Sequence, residues 1–250
     1  MIKPLQRQSP LAYGAKFIFL CARPLSTKVL CPTHWFINEA ALDILSASGY
    51  RRDVDAIFPF LTSLQDGVAW ADSGHKNVSH FFNPITKKGI WGFASAACDF
   101  VHYLNKATLK AQKGNLPDAM FYLGAAAHLL QDVCVPHHTC GLLFDGHREY
   151  EGWVEQNFMN YLLYTDSLDD HFKKPFHLLL SNAVASAASI DLVNQENVVN
   201  YDKATYLLLP LAEYSTAALL HWFINRLELT AIPESYQLVL PLLSLALDSQ

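Results

Sequence analysis

The stretch AAAHLLQDVCVPHHTCG, from Ala125 to Gly141, constrains the fold more than any other in the chain. It reads as apolar helix, yet it carries His128, Asp132, His137 and His138. Polar groups at core positions cost free energy unless something partners them. His128 and Asp132, four residues apart, project from one helix face about a turn apart, as two ligands of one ion must. His147 and Glu151 repeat the spacing further on, with His138 beyond the end of the first helix and His80 upstream. This set of imidazole and carboxylate groups suits zinc. For one His-x3-Asp pair, a core histidine bonded to a neighbouring carboxylate is the simpler reading. Two pairs with histidines between them favour a metal.

The rest of the chain is predicted to be helical. Apolar residues recur near a 3.6 period in His34–Ser48, Gly92–Asn115, Leu116–Val133, His147–Tyr164, His177–Val193 and Ala212–Leu229. The Gly114-Asn115 pair is expected to end one helix, Pro117 fits the first turn of the next, and Pro136 stops the helix bearing His128. Ser63–Trp91, rich in Gly, Ser, Asn and Asp, reads as one long loop, and long loops in compact domains are usually functional. The expected fold is all-α, a bundle-like domain whose long loop contributes metal ligands. With 250 residues, half of them apolar, the chain can bury a large core. Residues 23–250 are expected to form a single domain behind a possible leader or disordered N-terminus, 1–22.

Composition removes some functions. The net charge of −5 and the lack of any Lys/Arg cluster or stripe give no footprint for nucleic acid. No apolar run reaches the roughly 18 residues of a membrane span, so no transmembrane segment is expected. Five cysteines without dense spacing read as scattered thiols, although Cys134 and Cys140 are close enough in sequence to pair. His102 and His221 read as satisfied core or boundary histidines. NPITKKG (Asn83–Gly89) reads as a turn with solvated lysines, and Tyr236–Gln250 as a final helix packed on the bundle.

The motifs HWFINEAALDIL, AWAD, SHFFNP, FYLGAAAHLLQDVCVPHH and GHREYEGWV, in that order, resemble the bacterial zinc-dependent phospholipases C. That family includes the phosphatidylcholine-preferring enzymes and the catalytic domain of clostridial alpha-toxin. The resemblance covers roughly residues 31–225. It implies a helical bundle with up to three zinc ions at the bottom of a cleft. By the same resemblance, His34 joins the family's processed N-terminus on one zinc. Asp72 and His80, completed by His128, hold a second, and Asp132 bridges those two ions. His138, His147 and Glu151 form the third site. His138 is preferred to His137 because the family's histidine falls six residues after the bridging aspartate.

The implied activity is phosphodiester hydrolysis, with phospholipid giving diacylglycerol and a phosphorylated head group. Paired zinc ions make a nucleophile from water near neutral pH and neutralise phosphoryl charge. Asp72 is the expected general base, and ligation alone is its alternative role. The chain departs from the family in three places. No Trp precedes Trp35 to supply the N-terminal ligand; Cys21 or Cys31 could substitute as a thiolate, a plain structural cysteine being the simpler reading. The span from Asp72 to His80 is short. The aromatics that cage choline in the family are replaced by Ser73 and Asn77, which removes the cation-π surface for a quaternary ammonium. The resemblance also implies a secreted or extracytoplasmic protein that touches a membrane surface, although the leader signal is weak. The competing functions are a trizinc single-strand nuclease and a non-catalytic zinc-stabilised binding domain.

Overall fold

The computed structural model describes residues 31–73, 78–163, 165, 168, 174–193 and 198–227. The leader region, Cys21, Asn77 and Tyr236–Gln250 lie outside the described residues. Helices carry the architecture, and there is no β-strand among the described residues.

The organising element is α5 (Leu116–Asp132). Asn115 caps it, its side chain accepting the Asp118 N–H at 3.2 Å, and a proline occupies the first turn. Gly114, with φ of 73°, closes the preceding helix α4 (Ala96–Gln112) in the left-handed conformation that favours glycine. From Leu123 to Asp132 every residue of α5 is buried, so this helix is hidden on all sides rather than amphipathic. On one flank packs α4. On the other packs α3 (Leu61–Ala71), whose backbone touches that of α5. A Cβ at Gly67 would lie 1.8 Å from the Phe121 carbonyl oxygen, and one at Gly124 would lie 1.9 Å from that of Leu64. Glycine is required at both positions because the crossing leaves no space for a side chain.

Around this core lie α1 (Pro32–Ala47), α2 (Arg51–Ile57), the short α6 (Pro136–Cys140), α7 (His147–Asn157), α8 (Pro175–Ala187) and α9 (Val198–Arg226). The long α9 packs on α1, α5 and α8, with Ala217, Leu220 and Phe223 fully covered. Asn200–Arg226 is the one described stretch long and apolar enough to cross a membrane, but 72% of its apolar window is buried within the protein. It is the core helix of a bundle.

The observed elements correct the expectations at several points. The Ser63–Trp91 loop begins only at Asp72, because Leu64, Val68 and Ala71 meet the core at helical spacing and carry Ser63, Gln65 and Gly67 with them into α3. The last described helix starts at Val198 and runs through Pro210. Cys134 and Cys140 are both free thiols, in keeping with the scattered-thiol reading. The boundary reading holds for His221, whose Nδ1 lies 2.5 Å from Asp53 Oδ2 and joins α9 to α2, but not for His102, which is exposed.

Candidate metal centre

Pro136 cannot continue α5, so the chain turns at Val133–Val135 and restarts in α6. That turn places His138 beside Asp132, their Nδ1 and Oδ2 atoms 3.7 Å apart. His34 enters from the first turn of α1, Asp72 caps the C-terminus of α3, and His80 follows the short connection after it. His147 and Glu151 come from the first turns of α7. All eight sequence-derived candidates therefore meet in one region. Their ligand atoms form four overlapping groups, each within 4.8 Å: His34, His128 and Asp132; Asp72, His80 and His128; His80, Asp132 and His138; and His138, His147 and Glu151. A cavity of about 560 Å³ opens over them, with Cys31, Phe81, Phe144, Arg148 and Glu155 on its walls.

Hydrogen bonds around the site fix which ring nitrogens face inward. The Trp35 backbone carbonyl can only accept, so Gln65 Nε2 donates to it at 3.2 Å and Gln65 Oε1 accepts from Asn38 Nδ2 at 2.8 Å. Asn38 Oδ1 then accepts from Gln131 Nε2 at 2.9 Å, and Thr216 Oγ1 takes the second amide proton at 3.1 Å. That leaves Gln131 Oε1 as the acceptor for His34 Nδ1–H at 2.9 Å. In the neutral ring Nε2 is thus a bare lone pair, 3.4 Å from Asp132 Oδ1. His80 repeats the logic. Its Nε2–H donates to the Ala71 carbonyl at 3.2 Å, which turns its Nδ1 lone pair to Asp132 Oδ2 at 2.7 Å. Gln131, Asn38 and Gln65 were not among the sequence candidates, although Gln131 stands beside Asp132 in the opening stretch as a second polar residue in an apolar helix.

This donor set fits a cation. Asp132 Oδ2 is buried without a hydrogen-bond partner, and His128 Nε2 lies 3.2 Å from it and 3.4 Å from His80 Nδ1. His138 Nε2 and His147 Nε2 lie 2.8 Å apart with Glu151 Oε1 at 3.3 and 2.8 Å, an arrangement in which two protonated rings would repel. Lone pairs converging on carboxylates need positive charge among them, and a bound zinc ion would supply it.

The electrostatics agree. Burial works to raise the Asp132 carboxyl, but without a metal the positive charge that His128, His138 and His80 carry when protonated outweighs it and holds the group well below the usual carboxylate range, a charge that a bound cation would replace. Burial likewise opposes the charged forms of Glu151 and His138. The His138 and His147 bonds still depress Glu151, while Asp132 and Glu151 raise His138 to about 9. A ring made that basic by two carboxylates offers its lone pair equally well to a metal. His128, by contrast, is pushed down to about 4, chiefly by burial, and so is neutral and able to ligate.

Two neighbours stand outside the four groups. His137 is fully buried, but its Nε2 bonds the Asp145 carbonyl at 3.0 Å and its ring stacks on that of His147. It orients the turn leading into α7. Cys31 is buried, and its thiol, pushed up by burial and by Asp72, donates to Asp72 Oδ2 at 3.4 Å. It supports that carboxylate as a protonated group. The Ser73 hydroxyl donates to the Trp70 carbonyl at 2.7 Å, and no aromatic ring occupies its position.

An all-α bundle with imidazole and carboxylate groups converging on one cavity defines a metal-binding helical protein. The chain belongs to the zinc-dependent phospholipase C family, whose model matches residues 33–202. It is 28% identical over 142 residues to the phospholipase C of Bacillus cereus, a match covering 51% of this chain and 50% of that enzyme. The chain thus spans half the length of this relative. In fold it is similar to the alpha-toxin of Clostridium absonum, with a TM-score of 0.71 at 20% identity over 80% of this chain and 65% of the toxin. The Clostridium perfringens alpha-toxin from an avian strain gives 0.70 at 18% identity, covering 82% and 65%. The all-α expectation and the zinc dependence of the family accord with the residues found in the cavity.

Proposed function

We propose that this protein is a zinc-dependent phosphodiester hydrolase that acts as a phospholipase C, releasing diacylglycerol and a phosphorylated head group. The observation that carries this reading is the convergence of His34, Asp72, His80, His128, Asp132, His138, His147 and Glu151 on one cavity, with ring lone pairs aimed at carboxylates. In this reading His34 and Asp132 hold one zinc, Asp72, His80 and His128 hold a second that shares Asp132, and His138, His147 and Glu151 hold the third. Bound zinc supplies an activated water and neutralises charge on the phosphoryl oxygens.

The chain's own residues do the rest. Asp72, at the helix end and on the cavity wall, accepts the proton of the attacking water as its oxygen bonds to phosphorus. The bond from phosphorus to the diacylglycerol oxygen breaks opposite it, that oxygen takes its proton from solvent water at the open cavity mouth, and Asp72 returns the proton it accepted to solvent. Arg148, also on the wall, adds a fixed positive charge near the phosphodiester. Ser73 and Asn77 stand where the family's aromatic cage would favour choline, so those two positions give no support to a choline preference. A lipid substrate implies contact with a membrane surface, and the toxins among the similar folds support an extracytoplasmic place of action.

The test is release of diacylglycerol from phospholipids of differing head group by the zinc-loaded protein, with single-stranded DNA offered in parallel. Lipid turnover abolished by chelation supports the reading. Turnover of DNA alone would make the protein a nuclease, and bound zinc with neither activity would make it a binding domain.

A further inference from the structure

Large apolar side chains usually hide, and several of those that do not hide here fall in one loop. Between Phe82 and Ala96, Ile85 is 88% exposed, Trp91 67% and Phe93 53%. The same loop carries Lys87 and Lys88, both exposed, and the sequence has no acidic residue between Asp72 and Asp99 although the whole chain carries −5. A basic, apolar tip on an acidic protein is a local departure from the rest of the surface.

The loop is built, not slack. Asn83 Oδ1 accepts the N–H groups of Ile85 and Thr86 at 3.0 and 2.9 Å, and the Asn83 backbone exchanges bonds with Lys87 and Lys88 at 2.8 and 2.9 Å. Pro84 and Ile90 are buried at its base. Trp91 holds φ of 52° and ψ of 24°, a left-handed backbone that a bulky residue rarely adopts. Strain of this sort persists where the surroundings over-determine it, commonly at ligand-binding places. Here it accompanies an indole presented to solvent.

The base of the loop is the wall of the metal centre. The Phe82 N–H donates to the His138 carbonyl at 3.0 Å, and the Ala96 N–H to the Phe81 carbonyl at 3.0 Å. Phe81 stacks on the His138 ring, centroids 5.0 Å apart. A second exposed aromatic, Phe144 at 82%, lies on the cavity wall in the turn between His138 and His147. Exposed apolar side chains thus project from both segments, and exposed lysines from the first.

We propose that the loop Asn83–Ala94 docks on an anionic lipid bilayer, with Ile85, Trp91 and Phe93 entering the interfacial region and Lys87 and Lys88 meeting anionic head groups. The occupant follows from charge complementarity and from the physics of the interface, where tryptophan and apolar tips partition and lysine attraction adds to their burial. The proposal rests on the lipid-hydrolysis reading for its purpose, since docking there brings the cavity mouth to lipid, but its test does not depend on turnover.

The experiment is co-sedimentation of the full-length, zinc-loaded protein with phosphatidylcholine vesicles with and without phosphatidylglycerol. It compares wild type, Ile85→Ser/Trp91→Ala and Lys87→Gln/Lys88→Gln, with circular dichroism to show that each is folded. The expected result is binding that favours the anionic vesicles, roughly tenfold or more weaker in the apolar double variant and losing its anionic preference in the lysine variant. Hydrolysis of a monomeric short-chain phosphodiester is expected to be unchanged in both variants. Equal binding by wild type and the apolar variant, or no binding by wild type, would overturn the docking surface. A wild type that self-associates in solution through these residues would overturn it as well, by assigning the face to a second copy. Loop-dependent binding without any hydrolysis would leave the docking surface standing and remove the phospholipase reading instead.

Discussion

Gln131 makes three hydrogen bonds from one buried amide, and each decides something about His34. Its oxygen takes the Nδ1 proton, while its nitrogen is committed to Asn38 and Thr216. Replacing it with leucine, similar in volume, frees the His34 ring and leaves those two partners unsatisfied. Gln131→Leu should weaken binding of the metal held by His34 about 10- to 100-fold, and destabilise the fold by about 1–3 kcal/mol. Competition with a chromophoric chelator reads the first and denaturant unfolding the second. An unchanged affinity would show that the relay does not orient the ring. This relay was not legible in the sequence, because its partners lie 85 and 93 residues away and no local spacing relates them. The candidate ligands were legible for the opposite reason: the pairs His128 with Asp132 and His147 with Glu151 sit one helical turn apart. Glu213 gives a second residue-scale prediction. It is fully buried, Oε2 accepts the Leu163 N–H at 2.7 Å, and Oε1 has no partner. Burial raises its pKa from 4.5 to about 8. The folded state therefore keeps a proton that the unfolded state releases, and stability falls as pH rises across that interval. Glu213→Gln should be more stable than wild type at pH 8 and nearly equal near pH 4.5, measured as denaturant midpoints. Parallel profiles would contradict the burial argument.

The contact between α3 and α5 holds the Asp72 and His128 elements at fixed distance, and it depends on two glycines. Gly124→Ala or Gly67→Ala must push the helices apart, because the added carbon meets a backbone oxygen that cannot rotate away. Each should cost about 1–3 kcal/mol or more in stability and loosen metal binding through displacement of Asp72. A variant as stable as wild type would show that the crossing is not this close. The same contact explains why α3 was hidden in the sequence. Gly67 and the polar Ser63, Gln65 and Asp66 give the segment the composition of a loop, while the core pattern of Leu64, Val68 and Ala71 is short. The glycine that argued against a helix is there because two helices touch. By comparison α5 was plain from its ends, since Asn115, Pro117 and Pro136 act through local backbone chemistry that needs no tertiary knowledge.

Across the whole molecule, the bundle brings the proposed ligands from α1, α3, α5, α6 and α7 to one cavity, so metal binding there would be coupled to tertiary structure. Removing zinc with a chelator should lower the unfolding temperature, since the ligands then face one another without a cation. The account rests on those groups holding metal, and the most direct test is elemental mass spectrometry of metal per chain for purified wild type and Asp132→Ala. The expected result is about three zinc ions in the wild type and a loss of about two in the variant, because Asp132 contributes to two of the proposed sites. Zero or one zinc in a folded, zinc-supplied wild type would contradict the account and return these histidines to a structural role.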